Sequence, residues 1–138
     1  KLTPEEQAEV MRAPEYAYGI LRDMQFNLPV PEAVFQMGER MDGTGLPQHL
    51  AGEAINHNAR ILAVVNAFCA MVSPRSYRAG MQPEEAVGLL MKDQGFDSEI
   101  VFALSQIPAV ALQQAIATAD EASKKTPASQ TADSAPAE

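Results

Sequence analysis

The residues of this chain with the means to do chemistry fall in three places. The first is the run GERMDGTGLP, residues 38–47, where two carboxylates and a guanidinium stand among closely spaced glycines and a proline. Asp42-Gly43 favours a tight turn, Gly45 allows a second position with positive φ, and Pro47 stiffens the exit. A loop of this kind holds its backbone N–H groups and the Asp42 carboxylate in a fixed shape. Rigidity alone names no ligand, so the plain reading is a stiff connector between helices. Glu39 and Arg40 can be an exposed pair or a brace for that connector.

The second place is Arg75-Ser76-Tyr77-Arg78. A planar guanidinium binds phosphate oxygens two at a time, which makes Arg75 and Arg78 candidate phosphate contacts. Two arginines just past a helix end also complement the helix dipole and pair with nearby acids, and the two readings stand side by side. The third place is His49 and His57. One cysteine and two histidines cannot assemble the usual four ligands of a structural zinc site, and these two lie across a Gly-bearing segment with no further ligand in view, so no metal is expected there. Cys69 falls on an apolar helix and is expected as a small buried hydrophobe.

These residues belong to a chain of 138 residues, enough for one domain with a real core. A net charge of −8 argues against a nucleic-acid backbone as partner, since that role asks for a basic face. No apolar run approaches the roughly 20 residues that span a bilayer, and no basic-then-apolar leader opens the chain. A single cysteine forms no internal disulfide, and a soluble, cytoplasmic setting is expected. The first residue is Lys1 rather than Met, which suggests a processed or partial chain.

The elements that position the loop follow from caps and apolar spacing. Thr3-Pro4-Glu5-Glu6 is a capping box with proline at the first helical position, and predicts a helix to about Arg12. Pro14-Glu15 restarts the pattern, with Tyr16, Ile20 and Leu21 on one face, as far as Met24. Pro29 and Pro31 break it, and Pro31 opens a third helix leading into the loop. After a short turn at Glu53 to Ile55, Asn58 is expected to cap a long helix through Val72, the most buried of the domain, with Pro74 ending it. Asn66 in that helix is expected to hydrogen-bond internally if buried. Met24, Met37, Met41, Met71, Met81 and Met91 read as core and gap filler.

Pro83-Glu84-Glu85 begins another helix, stopped at Gly95, and Asp97 caps the next. Pro108 begins a last helix with a weak hold on the core. From Ser123 the chain is small and polar, too poor in apolar groups to offset the entropy of ordering. The expected organisation is one all-α domain over 1–122 and a disordered tail over 123–138.

Several of these segments together resemble the HD-GYP family, bacterial metal-dependent phosphodiesterases that hydrolyse cyclic di-GMP. ERMDGTGLP is similar to the family's loop, in which a His-His-Glu-Arg run leads into Asp-Gly-Ser-Gly-Tyr-Pro. ARILAVVNAFCAMVSPRSYR resembles its long central helix and the basic segment after it, where arginine contacts substrate phosphate. Leu2-Thr3-Pro4-Glu5-Glu6 looks like its usual start to the second half of the domain, and MQPEEAVGLLMKDQGFDSEIV like its closing helices. The likeness covers roughly residues 2 to 105 and implies an all-α helical bundle, the C-terminal part of an HD domain.

The departures bear on function. The resemblance implies metal ligands at four positions that here hold Ala13, Met37, Gly38 and Asn66, and the family's loop tyrosine is Leu46. The His-Asp pair that names the family should lie upstream of Lys1. Members use two or three iron or manganese ions, and such chemistry needs cations to polarise phosphate and activate water. Alanine and glycine offer no donor, a thioether is too soft, and an amide is neutral. Hence no cofactor is expected.

The implied function is a noncatalytic HD-GYP-like signalling domain with a protein partner, able to self-associate. Its motif loop (Glu39, Arg40, Asp42, Gly43, Thr44, Gly45, Leu46 and Pro47) would serve recognition or bracing. The alternatives are a cyclic di-GMP sensor using Arg75 and Arg78 without hydrolysis, and a phosphodiesterase if upstream sequence supplies the site.

Overall fold

The computed structural model describes residues 3–74 and 79–125, and it is all-α. Seven helices follow in order: α1 (Pro4–Met11), α2 (Ala13–Leu21), α3 (Val30–Gln36), α4 (His57–Val72), α5 (Pro83–Leu90), α6 (Ser98–Ser105) and α7 (Ala109–Lys125). A 3-10 turn, Gly52–Ala54, precedes α4. Proline stands in the first turn of α1, α2, α3 and α5, where its missing N–H costs nothing. Thr3 and Glu6 close the predicted capping box. Asp97 caps α6 through the Glu99 N–H at 3.0 Å.

The core lies where α4, α5 and α6 meet. Val64, Phe68 and Val72 face Ala86, Val87 and Leu90, with Val101 closing the cluster. Met71, Met81, Phe96 and Leu104 pack around it, and α7 adds Leu112 and Ile116. On the other side of the molecule α2 packs on α3, Tyr18 lying 4.9 Å from Phe35 between ring centroids. The α3 helix packs in turn on α4.

Several expectations are corrected. The cap of α4 is Asn56, whose side chain accepts from the Asn58 N–H, so the helix starts at His57. Helix α2 ends at Leu21 rather than Met24. Helix α5 ends at Leu90, short of Gly95, because Asp93-Gln94-Gly95 turns back toward the loop.

The long helix α4 is not buried all round. It buries Ala59, Val64, Phe68 and Val72 and leaves Ile61, Leu62 and Val65 more than a third exposed. Cys69 lies on that open side and is not the buried hydrophobe expected, and Asn66 is exposed too, so the condition for an internal hydrogen bond is not met. Met24 and Met91 are exposed rather than core.

Helix α7 runs to Lys125, past the Ser123 boundary, through alanines and lysines that favour helix. Residues 126–138 lie outside the described part. No single helix among the described residues is long and apolar enough to cross a membrane.

Candidate functional site

The loop between α3 and α4 is built around Glu39. It is 3 % exposed, and its two carboxylate oxygens accept the backbone N–H groups of Gln48 at 2.6 Å and Leu50 at 2.9 Å. One side chain therefore fastens the far limb of the loop to its near limb. His49, held between those two bonds, sits at φ 55°, a left-handed conformation uncommon for a residue with a side chain. The clamp supplies the reason for that conformation. Each of these hydrogen bonds ends on a charged acceptor, the stronger kind.

Glycine is needed at 43 and 45 for different reasons. Gly43 has φ 78°, and its N–H donates to the Arg40 carbonyl at 2.9 Å. Gly45 was expected at a second positive-φ position but is not one; His49 and Gly52 are. What Gly45 provides is room, since a Cβ there would overlap the Arg40 nitrogen and the Glu39 backbone. Beside it the Leu46 N–H donates to the Gly38 carbonyl at 3.1 Å. The Leu46–Pro47 peptide is cis.

Arg40 faces the other way. Its guanidinium pairs with Asp93, lies 3.7 Å from Asp42 and rests over the Phe96 ring at 5.2 Å. The Met41 N–H donates to the Gly95 carbonyl at 2.9 Å, and Gly95 leaves the space that the guanidinium fills. Deeper in, Arg60 of α4 donates to Asp97 at 2.8 Å, the same carboxylate that caps α6. Asp93 and Phe96 are thus partners of the loop that the sequence reading missed. They are 53 or more positions from Arg40, and no local pattern joins them.

The Asp42 carboxylate is used inside the loop. It accepts the Thr44 hydroxyl at 2.6 Å and the Thr44 N–H at 3.0 Å. These bonds, with Arg40 nearby, hold the Asp42 carboxyl below the usual carboxylate range. A depressed folded value stabilises the loop fully above the unfolded value, and that contribution is lost as pH falls through the folded one. The Thr44 amide signal is therefore expected to be constant from pH 8 to about 5 and to shift only below about pH 4. Loosening of Thr44 between pH 5 and 7 would contradict this.

The structure also places the positions at which ligands were implied. Ala13 is exposed at the start of α2, Met37 caps the end of α3, and Asn66 is exposed on α4. A Cβ at Gly38 would come within 3.0 Å of the Leu46 carbonyl, so a larger residue fits only if the loop yields. Among the described residues no three His, Cys, Asp or Glu side chains converge as a metal site would need. His49 and His57 are both exposed. Ala13, Met37, Gly38 and Asn66 bring no imidazole or carboxylate to the positions where the resemblance implies ligands. Arg75 and Arg78 lie outside the described residues.

Comparison with known proteins gives a consistent set. A model described as HD domain matches residues 1–100. The chain is 36% identical over 108 residues to the cyclic di-GMP phosphodiesterase response regulator RpfG of Xanthomonas campestris pv. campestris, covering 75% of the chain and 29% of that protein. It is 35% identical over 102 residues to the cyclic di-GMP phosphodiesterase PA4108 of Pseudomonas aeruginosa, covering 72% and 25%. It is also 38% identical over 52 residues to the 3'3'-cGAMP-specific phosphodiesterase 1 of Vibrio cholerae, covering 38% and 12%. The chain spans less than a third of the length of each of these relatives.

Proposed function

We propose, from the premise that the chain belongs to the HD-domain family and resembles its HD-GYP members, that it is a noncatalytic signalling domain that works through protein contacts. The observation that carries this reading is a fully braced motif loop in a chain whose four positions of implied metal ligands are poor in donors. Glu39 clamps the loop, while Ala13, Met37, Gly38 and Asn66 supply no imidazole or carboxylate. The Leu46 carbonyl has closed toward Gly38, so the backbone at that position suits glycine. Metal-assisted phosphodiester hydrolysis relies on cations to activate water and balance the charge on phosphate. The relatives' names tie them to cyclic dinucleotides, and they motivate the assay.

The loop offers little free polarity to a small ligand, because Glu39 takes two of its N–H groups and Thr44 takes Asp42. What it offers outward is Leu46, 42% exposed. The test has two arms. Cyclic di-GMP incubated with the full chain and added manganese or iron is expected to stay intact; metal-dependent hydrolysis would overturn the reading and favour a phosphodiesterase. Crosslinking in cells, followed by identification of partners, is expected to lose specific products with Leu46→Asp at unchanged fold. If that variant keeps every product, the loop is a brace only.

A second reading, a sensor that binds cyclic di-GMP without cleaving it, has support in the names of the relatives and in the fork chemistry of Arg75 and Arg78. Titration calorimetry decides it. High-micromolar ligand with no heat, or binding unchanged by Arg75→Ala with Arg78→Ala, removes it.

A further inference from the structure

The open side of α4 borders a groove away from the motif loop, floored in part by core residues such as Val64. The groove runs between α4 and α6 with a volume of about 450 Å³. Ile61 and Val65 line it from α4, Ile100 and Leu104 from α6, and Ile107 from the connection that follows α6. Ile61, Val65 and Ile107 are 37%, 44% and 43% exposed. The lining spans His57 to Val65 on α4, roughly 12 Å or about two helical turns, and Glu99 to Leu104 on α6, with Ile107 in the connection to α7. A contiguous apolar strip of this kind on a water-facing surface marks a contact site.

Charge selects the occupant. The lining holds no lysine or arginine, and its only charged member is Glu99, which has no ion-pair partner among the described residues. The chain as a whole carries −8. A second copy would bring Glu99 and a further −8 against the same surface, whereas a basic partner is drawn to it. The length and open ends suit a helix laid in the groove with apolar anchors at i, i+3 or i+4, and i+7.

We infer that the α4–α6 groove is a docking site for an amphipathic helix of a partner protein, one that carries basic residues beside its apolar stripe. The inference goes beyond the loop reading and holds whether or not Leu46 contacts a partner. It also survives if the chain is found to hydrolyse cyclic di-GMP, so the two fail separately.

The test uses the full chain and two synthetic helical peptides of about 14 residues with the same leucine spacing, one with lysines and one with glutamates on the polar face. Fluorescence anisotropy is expected to show binding of the lysine peptide and at least about tenfold weaker binding of the glutamate peptide. Amide shifts should cluster at Ile61, Val65, Ile100 and Ala103. Glu99→Lys should weaken the lysine peptide by roughly threefold to tenfold. Val65→Asp should abolish binding with an unchanged melting curve; Ala103→Arg, on the exposed side of α6, serves if that variant unfolds.

Three results overturn the inference. One is equal affinity for both peptides, and another is amide shifts that map elsewhere. The third is sedimentation showing concentration-dependent dimers that Val65→Asp dissolves, which would make a second copy the occupant.

Discussion

Glu39→Ala is expected to lower the unfolding free energy by about 2–4 kcal/mol, read from urea denaturation at neutral pH. The Glu39 carboxylate is 3 % exposed and accepts from Gln48 and Leu50, which the chain alone would not hold near it. Hydrogen bonds to a charged group are each worth roughly 1.5–3 kcal/mol, and the two donors are only part-buried, so water recovers some of the loss. Glu39→Gln keeps one acceptor and turns an amide N–H toward the other donor, and should cost about half as much. His49 should also leave its left-handed conformation once the bonds on either side are gone. A stability change below about 0.5 kcal/mol for Glu39→Ala would show that the clamp is not what holds the loop.

Gly45→Ala is expected to be as damaging, by about 3 kcal/mol or more, for a steric reason. The added methyl overlaps backbone atoms of Glu39 and Arg40, which no change of rotamer can move aside. The loop must lift, and with it go the Leu46 to Gly38 hydrogen bond and the alignment of the Glu39 clamp. Gly95→Ala makes a useful contrast, because there the methyl meets the end of the Arg40 side chain, which can swing away at the expense of its pairing with Asp93. Gly19→Ala is the control. Position 19 lies inside α2 with nothing within 4 Å of a new Cβ, and alanine there should stabilise by up to about 1 kcal/mol. A Gly45→Ala protein as stable as the parent would mean that the loop is not seated on the Glu39–Arg40 backbone. These losses also mean that Gly45 variants report on folding, and that Leu46→Asp is the proper probe of contact.

The local signals in the sequence were strong where they acted through backbone chemistry. The Thr3–Glu6 capping box, the prolines opening four helices and the Asp97 cap stand as their residue types dictate. Burial was less legible. The apolar residues of α4 cover more than one stripe, which suggested a helix enclosed on all sides. In the fold the Val64, Phe68 and Val72 row is buried against α5 and α6, with Ala67 and Met71 beside it, while Ile61, Val65 and Cys69 stay exposed. Composition records that a helix is apolar; it does not record how many neighbours arrive to cover it.

The candidate loop divides in the same manner. Its turn chemistry and the glycine at 43 were readable from GERMDGTGLP, while the structure adds the local Asp42 to Thr44 contact that holds the carboxylate. The sequence by itself also determined which donor types stand at positions 13, 37, 38 and 66, and so the chemistry open to them. Whether Glu39 and Arg40 formed an exposed pair or a brace was decided by tertiary structure alone. Glu39 turns inward to amides 9 and 11 positions away, and Arg40 outward to an acid 53 positions away. Gly45 is required because the Glu39–Arg40 backbone of the same loop lies against it, not because of its own torsion. Local spacing fixes torsions and caps, whereas the Glu39 clamp and the close approach at Gly45 depend on how the loop folds back on itself, and the Arg40 to Asp93 pair on a segment that only the packed helices bring near.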